Sequence, residues 1–300
     1  MKQHLTVVIC TYNRAHILSE ALTSLLQQTV SPKDFSVLII DNNSTDDTQN
    51  VVLSFKDKFI SLRIILETNQ GLSHARNRAL KECQTEWLAF LDDDAKAHPD
   101  WVETILQTME KGNFDAFGGP YYAWHHYGPA PRWLPKSFGT YESSQGYGLL
   151  GGNTYIPGGN SVVRCEAARS VGTFSTKLGM NGNRCSYGEE TQFFERMRAA
   201  GYRMGYVPQL KINHCVLPHK YSLHWQFKST FTIARDSIKL ESTLEKKHSI
   251  IRTFCGLLIS PIRGLSRCSK RNTLQQNLFL YITYIIAYYG RLLGILQNII

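Results

Sequence analysis

No Cys-x-x-Cys pair occurs in this chain, and its seven cysteines, Cys10, Cys83, Cys165, Cys185, Cys215, Cys255 and Cys268, are scattered and odd in number. Such spacing argues against a soft-metal site and against a disulfide framework, and it predicts thiols in a reducing compartment. Internal repeats and low-complexity linkers are absent too, so nothing suggests a tethered array. There is no nucleic-acid module signature, and nucleic acid is not an expected partner. The first apolar stretch, Leu5–Cys10, is too short for a signal-peptide core and has no cleavage pattern behind it. Those two features predict a cytoplasmic location.

What is present is the composition of a folded protein. The 300 residues are 43% hydrophobic and 19% charged, enough for one large domain or two ordinary ones. The net charge of +9 is unevenly placed. Residues 242–300 hold eight Lys and Arg against Glu245 alone. A basic segment that is also rich in Ile, Leu and Tyr favours anionic lipid over nucleic acid.

The first 120 residues alternate strand and helix patterns. Leu5–Cys10 is a continuous apolar run, as in a strand buried on both faces. Val37–Ile40, Leu62–Leu66 and Trp87–Leu91 read as three further strands, with helical spacing over Ala15–Gln28 and Leu72–Cys83. Ser44 or Thr45 is expected to cap a helix whose first turn carries Asp46 and Asp47, and Pro99 to open another. This alternation predicts a mainly parallel sheet in a three-layer α/β/α sandwich. Residues 120–150 are crowded with aromatics, Gly and Pro without periodicity. They read either as a substrate lid or as an irregular segment packed on the domain. A helix is expected near residues 186–201, and the chain turns helical, basic and apolar from residue 225.

Four polar clusters fall at the ends of the four strands: Thr11-Tyr12-Asn13-Arg14, Asp41-Asn42-Asn43-Ser44, Asn69-Gln70-Gly71 with Arg76-Asn77, and Asp92-Asp93-Asp94. Parallel strands aim their C-terminal ends at one edge, where open α/β sheets bind ligands, so the clusters should converge. Three adjacent carboxylates are costly unless a cation or good solvation meets them. Hard oxygen ligands at such a place suit Mg2+ or Mn2+ holding a substrate phosphate.

Val7-Val-Ile-Cys-Thr-Tyr-Asn-Arg14, Ile39-Ile-Asp-Asn-Asn-Ser-Thr-Asp-Asp-Thr48, Asn69-Gln-Gly-Leu-Ser-His-Ala-Arg-Asn-Arg-Ala79 and Phe90-Leu-Asp-Asp-Asp94 resemble the nucleotide-sugar half of family 2 glycosyltransferases. Pro157-Gly158-Gly159-Asn160, Gly172-Thr173-Phe174 and Gly188-Glu189-Glu190 are similar to the acceptor half, so the resemblance spans roughly residues 4–235. It implies a GT-A fold, an inverting mechanism, a nucleoside-diphosphate sugar donor, often UDP-linked, and a glycan or lipid-linked saccharide acceptor. Asp41 would accept a hydrogen bond from the base, and Thr11, Tyr12 and Asn13 would line the nucleoside pocket. Arg14, Asn69, Gly71 and Asp93 belong to the same donor-binding set, Asp93 as a spacer. Asp92 would face ribose or metal, Asp94 would ligate the metal, and Arg76 would stand near the diphosphate. Gly159 and Asn160 would lie beside the donor sugar and acceptor. His214 would complete the metal shell, with His219 the weaker candidate. The family's base maps onto Glu190, where Glu stands in place of the commoner Asp; Glu189 is the alternative base or a ligand of acceptor hydroxyls. Trp124 and Trp133 are candidates to stack on acceptor sugars, or to pack in the core.

Two other function classes compete. A nucleotidyltransferase shares the sheet and the metal-bound phosphate, but usually carries a Gly-rich basic loop where this chain has Thr11-Tyr-Asn-Arg14. A non-catalytic nucleotide-sugar-binding membrane protein would not need the acids. The expected domains are a catalytic one over 1–235, divided near residue 119, and a basic helical region over 236–300. Leu278–Gly290 is apolar for thirteen residues before Arg291, about 20 Å of helix and short of a bilayer core. That favours peripheral or monotopic helices at the inner face of a membrane, with a second one over Ile250–Ile262; an ordinary helical subdomain is the competing reading.

Overall fold

The computed structural model describes residues 4–151, 155–182, 186–240 and 272–299, together with Thr253. The expected helix over Ile250–Ile262, Lys270 and Arg271, and Cys185, Cys255 and Cys268 lie outside the described residues. Cys10, Cys83, Cys165 and Cys215 are free thiols.

The elements in chain order are β1 (Leu5–Thr11), α1 (Ala15–Leu26), β2 (Phe35–Asp41), α2 (Thr48–Leu53), β3 (Leu62–Leu66), α3 (Leu72–Glu82), β4 (Trp87–Leu91), β5 (Ala95–Ala97), α4 (Trp101–Lys111), β6 (Ala116–Gly118) and β7 (Tyr121–Trp124). There follow β8 (Gly148–Leu149), β9 (Asn160–Arg164), α5 (Cys165–Ser170), α6 (Glu189–Ala199), β10 (Met204–Tyr206), β11 (Ile212–Cys215), α7 (Leu223–Leu240) and α8 (Leu274–Ile299). They form two compact units. The first comprises Met1–Trp124, Gly139–Gly182 and Glu189–Cys215; the second His125–Phe138, Asn183–Gly188 and Val216–Ile300.

The first unit is built on a sheet of order β3-β2-β1-β4-β9-β6-β10-β8, with a small second sheet β5-β11-β7. β3, β2, β1 and β4 are mutually parallel, and β6 and β10 run the same way; only β9 and β8 oppose them. The apolar runs explain the burial. In β1, Leu5, Val7 and Ile9 face one core cluster while Val8 faces the other. β2 and β4 divide their residues the same way, as the period of two along a strand demands. Leu18, Val52 and Trp101 bring α1, α2 and α4 onto the first face; Ala75, Ala168 and Phe193 bring α3, α5 and α6 onto the second. Strands buried on both faces by helices are the three-layer arrangement that the alternation predicts.

Two expectations about caps need correction. Ser44 and Thr45 do not cap α2. Ser44 Oγ accepts the Asn13 N–H at 2.9 Å, and the Thr45 N–H donates to Asn13 Oδ1 at 2.8 Å, so both stitch the end of β2 to the end of β1. Asp46 takes their place: its carboxylate accepts the Thr48 N–H at 3.1 Å and the Ala15 N–H at 3.0 Å. It satisfies a free donor at the start of both α1 and α2. Pro99 lies outside α4, whose N-cap residue is Asp100.

In the second unit α7 packs along α8. A Cβ added at Gly290 would stand 2.3 Å from the Phe231 carbonyl oxygen, and one at Gly294 would stand 2.4 Å from that of Arg235, so glycine permits the close approach. Trp133, half-buried, packs on Phe279 at 5.0 Å. α8 has 26 residues, about 39 Å at 1.5 Å per residue, and so is longer than its thirteen-residue apolar stretch suggests. Its exposed apolar side chains, Leu274, Leu278, Tyr289, Leu293 and Leu296, fall within about 100° of one another around the helix.

Candidate functional site

The site forms where β4 ends. After Leu91 the chain runs through Asp92, Asp93 and Asp94 and enters β5 in the second sheet. β11 lies antiparallel to β5 with His214 opposite Ala95, and the Cys215 N–H donates to the Asp94 carbonyl at 2.8 Å. This register delivers His214 to the acids. Its Nε2 stands 3.1 Å from Asp94 Oδ1 and 3.6 Å from Asp92 Oδ2. One ligand atom from each of Asp92, Asp94 and His214 lies within 4.8 Å of the others. Two carboxylates and an imidazole suit a divalent cation of the Mn2+ or Mg2+ class, with the nitrogen ligand leaning toward Mn2+. Among the described residues no other group of three such side chains converges, and His219 packs on Trp225 in the second unit at 5.7 Å.

Asp93 turns elsewhere. It faces Arg14 at 3.6 Å, so both residues serve the turn's charge balance. Burial raises the Asp93 carboxyl above its ordinary range, with Arg14 opposing and the neighbouring Asp94 and Asp92 adding to the rise.

A second acidic pair opens α6. Phe193 and Phe194, one turn further along, anchor that helix; Phe193 stacks on Phe174 at 4.0 Å. Glu189 and Glu190 in the first turn meet the positive end of the helix. Arg76 from α3 is buried beside them, with Nη1 2.7 Å from Glu189 Oε1 and 3.7 Å from Glu190 Oε2. Its guanidinium also lies 5.6 Å from the Phe174 ring centroid and 5.9 Å from that of Phe90. Two expectations change here. Arg76 is only 4% exposed and is committed to the glutamates, not open to a diphosphate. Glu189, also 4% exposed, is held by Arg76 and is closed to acceptor hydroxyls. Burial and the charge of Glu190 push the Glu189 carboxyl up, against the pull of Arg76. Glu190 differs: its side chain is 29% exposed, and its Oε2 accepts no hydrogen bond from the described residues.

The turn before β9 separates the two acidic groups. The Asp92 N–H donates to the Gly159 carbonyl at 3.2 Å. A Cβ at Gly159 would fall 1.9 Å from Asp92 Oδ2, and one at Gly158 would fall 2.6 Å from Arg76 and 3.3 Å from the Glu190 Cβ. A side chain at either position would therefore displace Arg76 or Asp92. Asn160 corrects another expectation. It is fully buried; its Oδ1 accepts from Trp101 Nε1 at 2.9 Å and its Nδ2 donates to the carbonyls of Pro120 and Leu210 at 2.9 and 2.7 Å. Every polar atom of its side chain is used, so it fixes the turn rather than touching a ligand.

The ends of β1, β2 and β3 form the other flank. Asp41 is buried and accepts the Ser44 N–H at 2.9 Å through Oδ1. Tyr12 is 37% exposed at the end of β1 beside buried Thr11. The Asn13 side chain is occupied by Thr45. Asn42, which sequence reasoning placed in a cluster but gave no role, fastens the β3 loop. Its Oδ1 accepts the Gly71 N–H at 2.7 Å, and its Nδ2 donates to the Asn69 and Glu67 carbonyls at 2.7 and 3.1 Å. Gly71, at φ 134°, lies in the region that favours glycine. Asn69 is itself held by Glu67, through its N–H and Nδ2, each at 2.8 Å.

Sequence reasoning missed a group of tyrosines beyond His214. Tyr121 packs edge-on against His214 at 5.7 Å and stacks on Tyr141 at 5.7 Å; Tyr141 in turn lies 4.4 Å from Tyr155. Tyr121 and Tyr141 exchange backbone hydrogen bonds at 3.0 and 2.8 Å, a pairing across twenty residues that periodicity cannot reveal. Trp124 instead lies under Lys96, at 4.6 Å.

Comparison with known proteins fits this geometry. Residues 6–172 match the model of Glycosyl transferase family 2. The succinoglycan biosynthesis protein ExoM of Rhizobium meliloti (strain 1021) is 30% identical over 251 residues, 82% of this chain and 77% of that protein. The glucosyl-dolichyl phosphate glucuronosyltransferase of Haloferax volcanii is 27% identical over 237 residues, 73% of this chain and 72% of its own. Among solved structures, the mannosyltransferase PcManGT from Pyrobaculum calidifontis, in complex with GDP-Man and Mn2+, superimposes with a TM-score of 0.65 at 16% identity, covering 100% of this chain and 88% of that one. At that identity the likeness shows the fold, which is GT-A.

The Gly159 geometry yields one prediction. Gly159→Ala forces Asp92 from its place, and Mn2+ affinity, read by titration calorimetry, is expected to fall about 10–100-fold, as when the support of a metal ligand is removed.

Proposed function

The chain belongs to glycosyl transferase family 2 and is a glycosyltransferase, and on that premise we propose that it moves a sugar from a nucleoside-diphosphate sugar to an acceptor hydroxyl with inversion. The observation that carries the proposal is the separation of roles between two acidic groups across one glycine turn. Asp92, Asp94 and His214 form a cation-binding set. Glu190 lies across the turn from them as a half-buried carboxylate whose neighbour Glu189 is already held by Arg76.

In this reading Asp94 and His214, with Asp92, hold the cation, which supplies charge neutralisation for the departing diphosphate. Asp41 accepts an N–H from the base, and Tyr12 offers an exposed ring to it. A UDP-sugar fits, since uracil presents one imide N–H to a carboxylate. Glu190 takes the proton from the acceptor hydroxyl as its oxygen attacks the anomeric carbon. The bond from that carbon to the phosphate oxygen breaks in the same step, and the configuration inverts. No covalent bond to the enzyme forms. Arg76 positions the pair by fixing Glu189, which leaves Glu190 free to point toward the acceptor.

The acceptor in this proposal is a glycan or lipid-linked saccharide, and the enzyme works at the inner face of a membrane. The apolar stripe of α8 and the basic composition of residues 242–300 support that location. The helix is also long and apolar enough to cross a membrane, so its length fits either a spanning or an interfacial placement.

Glu190→Gln should lower kcat by about 10²–10⁴ while leaving the thermal shift caused by UDP-sugar and Mn2+ intact. Asp94→Ala should abolish both transfer and that shift. Full activity in either variant, assayed over a panel of UDP- and GDP-sugars, would sink the assignment. Flotation with phosphatidylglycerol vesicles tests the location: the wild-type chain is expected to float, and Leu278→Glu with Leu293→Glu to stay behind. Equal flotation of both would refute the role of the stripe.

A further inference from the structure

The tyrosine group beside His214 has no part in the chemistry above, yet it borders it. The sheet brings its members together from distant parts of the chain. Tyr121 follows β6, Tyr155 precedes the Gly158–Gly159 turn into β9, and Tyr206 ends β10, all at the edge where β4 delivers Asp92. Tyr141 bridges them, pairing with Tyr121 and meeting Tyr206 edge-on at 6.4 Å. Burial raises the Tyr121 and Tyr155 phenols above their ordinary range; the charges of Asp92 and Glu190 add to this at Tyr121, and neighbouring tyrosines and then Glu190 add to it at Tyr155. The wall therefore lies within electrostatic reach of the proposed base.

One ring in this wall is left open. Tyr155 is 43% exposed although it is a large aromatic packed 4.4 Å from Tyr141. It is also held firmly. Its carbonyl accepts the Tyr141 hydroxyl at 3.0 Å, and its own phenol pairs with that of Tyr121. An exposed ring fixed by its neighbours binds a flat apolar surface with little ordering cost. The strand order β2-β1-β4-β9 sets this wall on the opposite flank of Asp92 from Asp41. The nucleobase thus has its own place, and the wall faces the other substrate.

We infer that Tyr155, backed by Tyr141 and Tyr121, is the platform for the apolar face of a pyranose ring in the acceptor. It selects a saccharide-terminated acceptor over a bare lipid phosphate or simple alcohol. The inference rests on the glycosyltransferase reading and its saccharide acceptor, and adds the residue that recognises that saccharide. A pyranose presents a face of axial C–H bonds that a tyrosine ring can cover, while its hydroxyls stay at the rim, where Glu190 takes one proton.

Saturation-transfer NMR tests it, with methyl α- and β-pyranosides of glucose, galactose and mannose as probes and UDP with Mn2+ present. Saturation is expected on the C–H protons of at least one pyranoside. Tyr155→Leu should weaken that binding about tenfold. Tyr155→Phe should retain it, and so should Tyr147→Leu, which removes another exposed tyrosine outside the wall. UDP–Mn2+ binding, followed by thermal shift, should be unchanged in all three variants. A wild-type chain that binds UDP–Mn2+ but no pyranoside, or a Tyr155→Leu variant that keeps the signal, overturns the inference alone. A wild-type chain that fails to bind UDP–Mn2+ overturns the donor reading and the inference with it.

Discussion

Five carboxylates crowd one edge of this sheet: Asp92, Asp93 and Asp94 after β4, and Glu189 and Glu190 at the start of α6. Two like charges 4 Å apart repel by about 4 kcal/mol at an effective dielectric of 20, and a whole domain is stable by only about 5–15 kcal/mol. The fold can hold such a cluster only by compensating it. Arg76 meets the glutamates from inside, Arg14 meets Asp93, and His214 leans on Asp94 and Asp92. The two arginines answer two of the acids. The remainder is a local excess of negative charge at the end of β4, and in the proposed reaction a divalent cation offsets it.

That compensation also sorts the acids into roles. Arg76 and Glu189 are both about 5% exposed in their side chains, a buried pair whose rupture would strand a charge. Breaking such a pair typically costs about 3–5 kcal/mol, so neither partner is free to leave for substrate. Glu190 stands farther off, 3.7 Å from Arg76, and is half-buried beside Glu189. In the proposed reaction, charge balance rather than position in a motif singles out Glu190 over Glu189 as the base. The glycines obey the same economy of space. A side chain at 158 or 159 would push Arg76 or Asp92 aside.

Much of the fold could be read in advance because its signals are local. The runs Leu5–Cys10 and Trp87–Leu91 are apolar on both faces, and that pattern alone asks for a parallel sheet between helices. The placing of Asp41 and of Asp92 to Asp94 at strand ends on one edge was legible as well, since parallel strands converge by topology. What escaped was set by pairing between distant residues. Nothing near Arg76 in the chain reveals that its partner is Glu189, or that Asn160 is spent on Trp101 and two carbonyls. Trp124 and Trp133 attracted attention as large aromatics, yet they pack on Lys96 and Phe279, while the tyrosines that line the site arrive from three separate segments. The Ser44–Thr45 cap failed for a similar reason, because Asn13 competes for the same groups.

The central claim is that the excess charge at the end of β4 is a cation site built from Asp92, Asp94 and His214, facing Glu190 across the glycine turn. Diffraction at the manganese edge from crystals soaked with Mn2+ and UDP tests it most directly. The account predicts one anomalous peak bonded to Asp94 and His214, with Asp92 beside it and the diphosphate of UDP completing its shell. UDP bound with no manganese between these side chains, or manganese held elsewhere, would contradict it.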